Sequence, residues 1–473
     1  MSSSSQARQR LISLLDENSF VEIGAGVRAR ATDFGLKTAD TPSDGVITGY
    51  GLIDGRLVYV YSQDASVLGG SIGEMHARKI TAVYDLAIRT GAPVIGLLDS
   101  AGLRLQEGID SLEAFASIYA RQSKASGVIP QLCAVFGQCG GGLAVAASLC
   151  DFTFMESGAR LFVNAPNTIA GNTEEKDNTS SAASKEACGN VDYVGSEGEI
   201  LGQIRELIGV LPSNNEDDAD ADCEDDMNRD CPSAAAYCAD PAALMEEAAD
   251  YGRFIELKKD FAPEMAVGFV KLGGWTAGVI GNRSAAFDEE GECIAEYEPV
   301  LTADGCMKAA DFVRFCDAFE LPLITLTSVR GFASSKEEEQ RIASAAAKLT
   351  SAIAGATVPK VNVITGRTIG SAYAVMNAKS SGADLTFAFP AASVGIMDPD
   401  LAARIMAPDA GKEALKETAV HYEAVQNSIG SAAARGFVDQ IVEPAALRKY
   451  LIGALEILYT KREELPSRKH STR

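Results

Sequence analysis

The same half-length pattern is written twice along this chain, and it constrains the architecture more than any single residue does. Gly91-Ala92-Pro93-Val94-Ile95-Gly96-Leu97-Leu98-Asp99-Ser100 reads as a turn followed by a buried strand. Glu320-Leu321-Pro322-Leu323-Ile324-Thr325-Leu326-Thr327-Ser328 reads the same way. Pro93 and Pro322 stand 229 positions apart, as do Lys79 and Lys308, Pro130 and Pro359, and Gly137 and Gly366. A period this long predicts two like domains rather than a solenoid of short repeats. Each half opens with a hairpin, turning at Asp54-Gly55 in one and Gly273-Gly274 in the other. Each then runs helix, strand, helix, strand, turn, helix, the alternation of an α/β architecture. A short leading helix is expected over 7–15. A closing helix is expected over 446–461, with a charged tail after it.

The glycine clusters fall in the same register. Gly140-Gly141-Gly142-Leu143 follows the strand Gln131-Leu132-Cys133-Ala134-Val135-Phe136. Ile369-Gly370-Ser371-Ala372 follows Lys360-Val361-Asn362-Val363-Ile364-Thr365. Each cluster opens a helix of small residues. A strand, a small-residue turn and a helix start leave backbone N–H groups pointing outward, where negative charge is welcome. Small residues let a ligand approach the backbone closely. One such place in each half suggests two oxygens to be stabilised.

Composition excludes several classes. The 473 residues suffice for two large domains, and 47% are hydrophobic, enough for sizeable cores. A net charge of −23 argues against nucleic acid and anionic membranes as partners. Part of that charge is local: residues 216–230 hold nine carboxylates and one arginine. The run reads as a solvated loop or linker rather than a metal site, since its spacing makes no EF-hand. The ten cysteines include no CxxC pair, so neither zinc nor a disulfide framework is indicated. Cys133, Cys150 and Cys316 sit in apolar stretches as small core residues do. The first ten residues lack the apolar stretch of a signal peptide, and no run of about 18 apolar residues exists to span a membrane. A reducing, cytoplasmic compartment is the expectation.

At this point several motifs, in order, resemble one family. They are Asp44-Gly45-Val46-Ile47-Thr48-Gly49-Tyr50-Gly51, Ser62-Gln63-Asp64, Gly69-Gly70-Ser71-Ile72-Gly73-Glu74, Asp99-Ser100-Ala101-Gly102-Leu103-Arg104-Leu105-Gln106-Glu107-Gly108 and Ser126-Gly127-Val128-Ile129-Pro130-Gln131. The second half continues with Phe312-Val313-Arg314-Phe315-Cys316-Asp317-Ala318-Phe319, Val358-Pro359-Lys360-Val361 and Arg435-Gly436-Phe437-Val438-Asp439. Together they resemble the carboxyltransferase subunits of biotin-dependent acyl-CoA carboxylases and decarboxylases, the propionyl-CoA carboxylase beta type. The resemblance implies two crotonase-like ββα-superhelix domains. One, over 1–210, takes acyl-CoA; the other, over 264–473, takes biotin; 211–263 is an acidic connecting segment. It also implies a homo-hexamer or hetero-oligomer whose active sites lie at a dimer interface, between the first half of one subunit and the second half of its partner.

The implied chemistry transfers a carboxyl group between carboxybiotin and the α-carbon of an acyl-CoA. It needs two oxyanion sites and, with biotin acting as base, no side-chain base. By resemblance, Gly141 and Gly142 hold the thioester oxygen, with Ala101, Gly102 and Gly140 beside the acyl-CoA. Ser371 and Ala372 hold the biotin ureido oxygen, next to Gly370, and Ala374 stands where family members shape the acyl pocket. No Ala-Met-Lys-Met biotinylation site and no ATP-binding domain is present, so biotin must arrive on a separate carrier protein. A biotin carboxylase, or a membrane sodium-pump decarboxylase, is the implied further partner. The chain departs from the family at Ala101 and Leu103 and at Ser328, Arg330, Ser371, Ser393 and Asp398, mostly in the second half.

Three other readings stay open. A non-catalytic assembly subunit is motivated by those departures. A biotin-independent crotonase-type enzyme would need an acid or base near Gly141, for which Glu107 is the candidate. Ser148 as a nucleophile lacks any Ser/His/Asp arrangement. Asp99 and Arg104 read as an ion pair near the cleft, and His76, one of three histidines with His421 and His470, reads as structural.

Overall fold

The computed structural model describes residues 5–32, 34–35, 41–172, 178–218, 223–288 and 290–463. The first four residues, positions 219–222 of the acidic run, and the charged tail with His470 lie outside them. The chain divides into two compact units, Met1–Asp218 and Ala219–Arg473.

In the first unit a sheet runs in the order Val21–Ile23, Val46–Ile53, Arg56–Gln63, Val94–Ser100, Gln131–Gly140, Phe152–Glu156, Tyr193–Gly195. The opening pairs are antiparallel and every later pair is parallel. The hairpin turn at Asp54-Gly55 has φ of 48° and 78°, the positive pair expected of a tight Asp-Gly turn. Parallel strands are covered on both faces, so they read as unbroken apolar runs; Val94, Ile95 and Leu97 are fully buried. Helix Glu74–Thr90 crosses between strands and buries His76, Ala77, Lys79, Ile80, Val83, Tyr84 and Ala87, a stripe at helical spacing. It stops at Gly91, which takes the left-handed conformation at φ 62° that helix ends favour.

The second unit repeats the plan: Phe254–Leu257, Met265–Leu272, Trp275–Asn282, Leu323–Thr327, Lys360–Ile364, Leu385–Ala388, Gln440–Ile441. The 229-residue register holds in three dimensions. Helices start at Glu74 and Ala303, and strands at Val94 and Leu323, then Gln131 and Lys360. The isolated parallel bridge between Ile72 and Leu103 has its counterpart between Leu301 and Phe332.

The connecting segment expected over 211–263 is different. Beyond Asp218 it belongs to the second unit. Cys231, Ala234, Leu244 and Met245 are buried in that unit's core, helix Pro241–Ala248 is capped by Asp240, and Phe254–Leu257 is an edge strand of its sheet. Its acidic part gives the whole of 211–263 the look of a linker; the apolar residues after that part are the signal of a packed element. The leading helix spans Gln6–Leu14 and the closing one Leu447–Leu458, a turn shorter than expected. Among the described residues no helix is long and apolar enough to cross a membrane.

Candidate functional site

The two glycine turns stand at the C-terminal ends of parallel strands, where open α/β sheets place their ligands. In the first unit Gln131–Gly140 runs into Gly141, at φ 61° and ψ −129°, and helix Gly142–Ser148 follows. That φ is open to glycine and strained for other residues. The Gly141 N–H donates to the Phe162 carbonyl at 2.9 Å, so it is not available to a ligand. This corrects its expected role as an oxyanion donor. Among the described residues the amides of Gly142 and Leu143 donate to nothing. Leu143 was missed because an apolar side chain carries no hint that its backbone is exposed to chemistry. The register would have found it, since it lies 229 residues before Ala372.

Gly102 comes close to this turn. Its φ is 93°, its carbonyl accepts from Ile72 N–H at 2.8 Å, and a Cβ built on it would lie 3.3 Å from the Gly140 carbonyl. A Cβ on Gly140 would press on the Phe162 ring at 2.9 Å. Ala101 is tied to the Gly69 carbonyl at 2.9 Å. Ala101, Gly102, Gly140, Gly141 and Gly142 therefore belong to one neighbourhood of closely approaching backbone.

In the second unit Lys360–Ile364 leads through Arg367–Ile369 to Gly370, at φ 71° and ψ −162°, and helix Ser371–Val375. Gly370 N–H donates to the Gly395 carbonyl at 2.9 Å, as Gly141 does to Phe162. The Ser371 and Ala372 amides donate to nothing among the described residues. A cavity of ≈ 590 Å³ opens here, lined by Gly370, Ser371, Ala374, Val394, Ile396 and Phe437 among others. Ala374 is exposed on its wall, whereas Ala372 is fully buried behind it. Asn427 also lines it, nearly buried, with an Oδ1 that finds no partner. Of the departures, Asp398 pairs with Arg367 at 2.8 Å, and Ser393 sits in the short parallel strand pair opposite Arg367. Gly366 lies beneath Ser328, whose Oγ would be 2.4 Å from a Cβ there; Gly137 lies beneath Asp99 in the same way.

The charged residues near the first turn are arranged otherwise than expected. Arg104 does not pair with Asp99. Its guanidinium is buried and bonds Asp44 Oδ1 at 2.6 Å, Glu107 Oε1 at 2.8 Å and the Ser71 carbonyl at 2.6 Å. Asp99 lies 3.6 Å from Arg10 instead. Strand residue and loop residue are near in sequence, but the loop turns its arginine inward. Burial raises the Asp44 carboxyl, and Arg104 opposes that shift. Glu107 is also committed, since its Oε2 accepts the Glu74 N–H at 2.6 Å at a helix start. Both of its carboxylate oxygens are thus held by partners, one by Arg104 and one by the helix start. Ser148 Oγ bonds back to the Ala144 carbonyl at 3.0 Å.

Fold and site together define a protein of two like α/β units, each with a turn that leaves two backbone amides unengaged among the described residues. Residues 3–472 match the carboxyl transferase domain, and the chain belongs to that family. It is 36% identical to methylmalonyl-CoA decarboxylase subunit alpha of Propionigenium modestum, over 98% of this chain and 92% of that protein. It is 37% identical to the propionyl-CoA carboxylase beta chain of Saccharopolyspora erythraea, covering 98% and 89%. Among solved structures, the transcarboxylase 12S hexamer with methylmalonyl-coenzyme A and methylmalonic acid bound matches at TM-score 0.90 and 32% identity, over 98% and 92% of the chains. The fold is the crotonase-like α/β fold of these carboxyltransferases, and the chain is an enzyme of that class.

Proposed function

We propose that this chain moves a carboxyl group between carboxybiotin, borne on a separate carrier protein, and the α-carbon of a short acyl-CoA. The observation that carries the reading is the pair of equivalent turns, each offering two unengaged amides at the same register. In the first unit Gly142 and Leu143 receive the thioester oxygen, with Gly102 and Gly140 leaving room for the acyl-CoA. In the second, Ser371 and Ala372 receive the ureido oxygen. The residues present fit biotin. The ≈ 590 Å³ cavity lies within the range of about 300–1,000 Å³ usual for small-molecule sites, and its walls are largely apolar. Gly370 and Ser371 of the turn line it, with Gln426 and Asn427 among its polar residues. Ala374 on the wall leaves space that a larger side chain would take.

When bound, carboxybiotin supplies the carboxyl group and the base for the α-proton. The chain's own part is to stabilise charge. As the α-proton leaves, negative charge grows on the thioester oxygen, and donors already aimed at it lower the barrier without rearranging. Removing one such donor costs about 100- to 1,000-fold in kcat. The catalytic pocket is completed by a second copy, with the first unit of one subunit facing the second unit of its partner. A biotin carboxylase or a membrane decarboxylase subunit completes the cycle, in the cytoplasm or at its membrane face.

Malonyl-CoA and methylmalonyl-CoA decarboxylation, measured with and without free biotin, tests this. Wild type should release CO2 only with biotin. Gly142→Val should lose that activity, because its Cβ would lie 2.7 Å from the Tyr119 hydroxyl and displace the turn. Biotin-independent turnover that survives the substitution overturns the reading.

A further inference from the structure

We propose that Tyr119 is a positioning residue for the first turn, its hydroxyl orienting and polarising the peptide whose N–H belongs to Leu143. The inference rests on the reading above, that this turn receives the thioester oxygen. Tyr119 Oη donates to the Gly142 carbonyl at 2.6 Å. The Gly142 carbonyl and the Leu143 N–H are two ends of one planar trans peptide and point in opposite directions. Pinning the carbonyl therefore fixes the direction of the amide. A hydrogen bond to the carbonyl also draws electron density from the amide and strengthens its N–H as a donor, by about 10–30% per bond.

Three further observations set this contact apart from packing. First, it depends on the glycine, since a Cβ at Gly142 would lie 2.7 Å from the hydroxyl. Second, the same helix, Ile109–Ala125, grips the turn helix again one turn along: Gln122 Nε2 donates to the Ala146 carbonyl at 2.8 Å. Two bonds on successive turns hold helix Gly142–Ser148 against both rotation and sliding. Third, the contact is not part of the repeat. The position 229 residues on is Lys348, and among the described residues no side chain donates to the Ser371 carbonyl. The first turn thus carries an added donor that the second lacks. The Tyr119 ring needs no hydroxyl for its other contact, a tilted packing on Phe115 with centroids 5.9 Å apart. Burial pushes the phenol above its ordinary value, which keeps it an O–H donor throughout the working pH range.

The test uses the full-length protein and [1-13C]propionyl-CoA as probe. The infrared stretch of the labelled thioester carbonyl reads donor strength at the turn. In wild type the stretch should fall on binding. In Tyr119→Phe it should move back toward the free value. Biotin-dependent decarboxylation of methylmalonyl-CoA by the same variant should lose about 3- to 10-fold in kcat, less than the loss of a direct donor, while KM stays within about twofold. A wild-type stretch that does not fall on binding overturns the assignment of the thioester oxygen to this turn. A wild-type fall that Tyr119→Phe leaves unchanged keeps that assignment and overturns the role of Tyr119. Fluorotyrosine placed at 119, a stronger donor with the ring retained, should push the stretch further down. An unchanged stretch there also overturns the proposal, and it answers the question even if the phenylalanine variant fails to fold.

Discussion

His76 is completely buried, with Nδ1 2.9 Å from the Asp44 carbonyl and Nε2 3.2 Å from the Gln63 amide nitrogen. The first contact requires a proton on Nδ1 and the second requires a lone pair on Nε2, so the neutral ring is the one that fits. Burial, aided by the nearby Arg104 charge, lowers its pKa from 6.5 to about 3. A depressed pKa means that the unfolded chain binds the proton more readily, so stability rises with pH through this window. The contribution is fully present above pH 6.5 and drains away as pH falls toward 3. His76→Gln should flatten the loss of melting temperature between those values relative to wild type. Equal slopes in the two proteins would mean that another group senses the acid.

At the scale of elements, the repeat explains a pair of buried lysines. Lys79 Nζ donates to the Ser43 carbonyl at 3.1 Å and to the Val46 carbonyl. Lys308 Nζ donates to the Lys258 and Phe261 carbonyls, each at 2.8 Å. In each unit the crossing helix thereby ties down the chain entering the sheet, and burial lowers both pKa values to about 8. Lys79→Met and Lys308→Met each leave buried carbonyls unpaired, so each should cost about 1–3 kcal/mol in urea unfolding. A cost below a few tenths of a kcal/mol would show that water replaces the ammonium. The lysine spacing was plain in the sequence, as were the strands and the glycine turns, because these follow local pattern and register. The partners of Arg104 were not. Asp44 is 60 residues away, and only the folded loop decides which carboxylate a buried guanidinium meets. The Gly141 amide was misjudged for a similar reason, since its acceptor at Phe162 lies on a strand that returns from beyond the helix.

At the scale of the whole molecule, each unit owns its sheet and its apolar core, so the two are expected to unfold as separate cooperative blocks. Differential calorimetry should give a van't Hoff enthalpy well below the calorimetric one; equal values would show a single block. The two-unit plan was legible from the 229-residue period, but the start of the second unit was not, because acidic loop and packed helix adjoin without a break in the sequence. The duplicated turns carry a consequence for how such a protein drifts. Their donors are amides, and exchange of one side chain for another cannot delete an amide unless the newcomer is proline. Gly142 corresponds to Ser371 in the register, and Leu143 to Ala372, yet all four keep an N–H with no acceptor among the described residues. Chemistry written in the main chain lets the two halves diverge residue by residue while the geometry on which they depend is inherited with the fold.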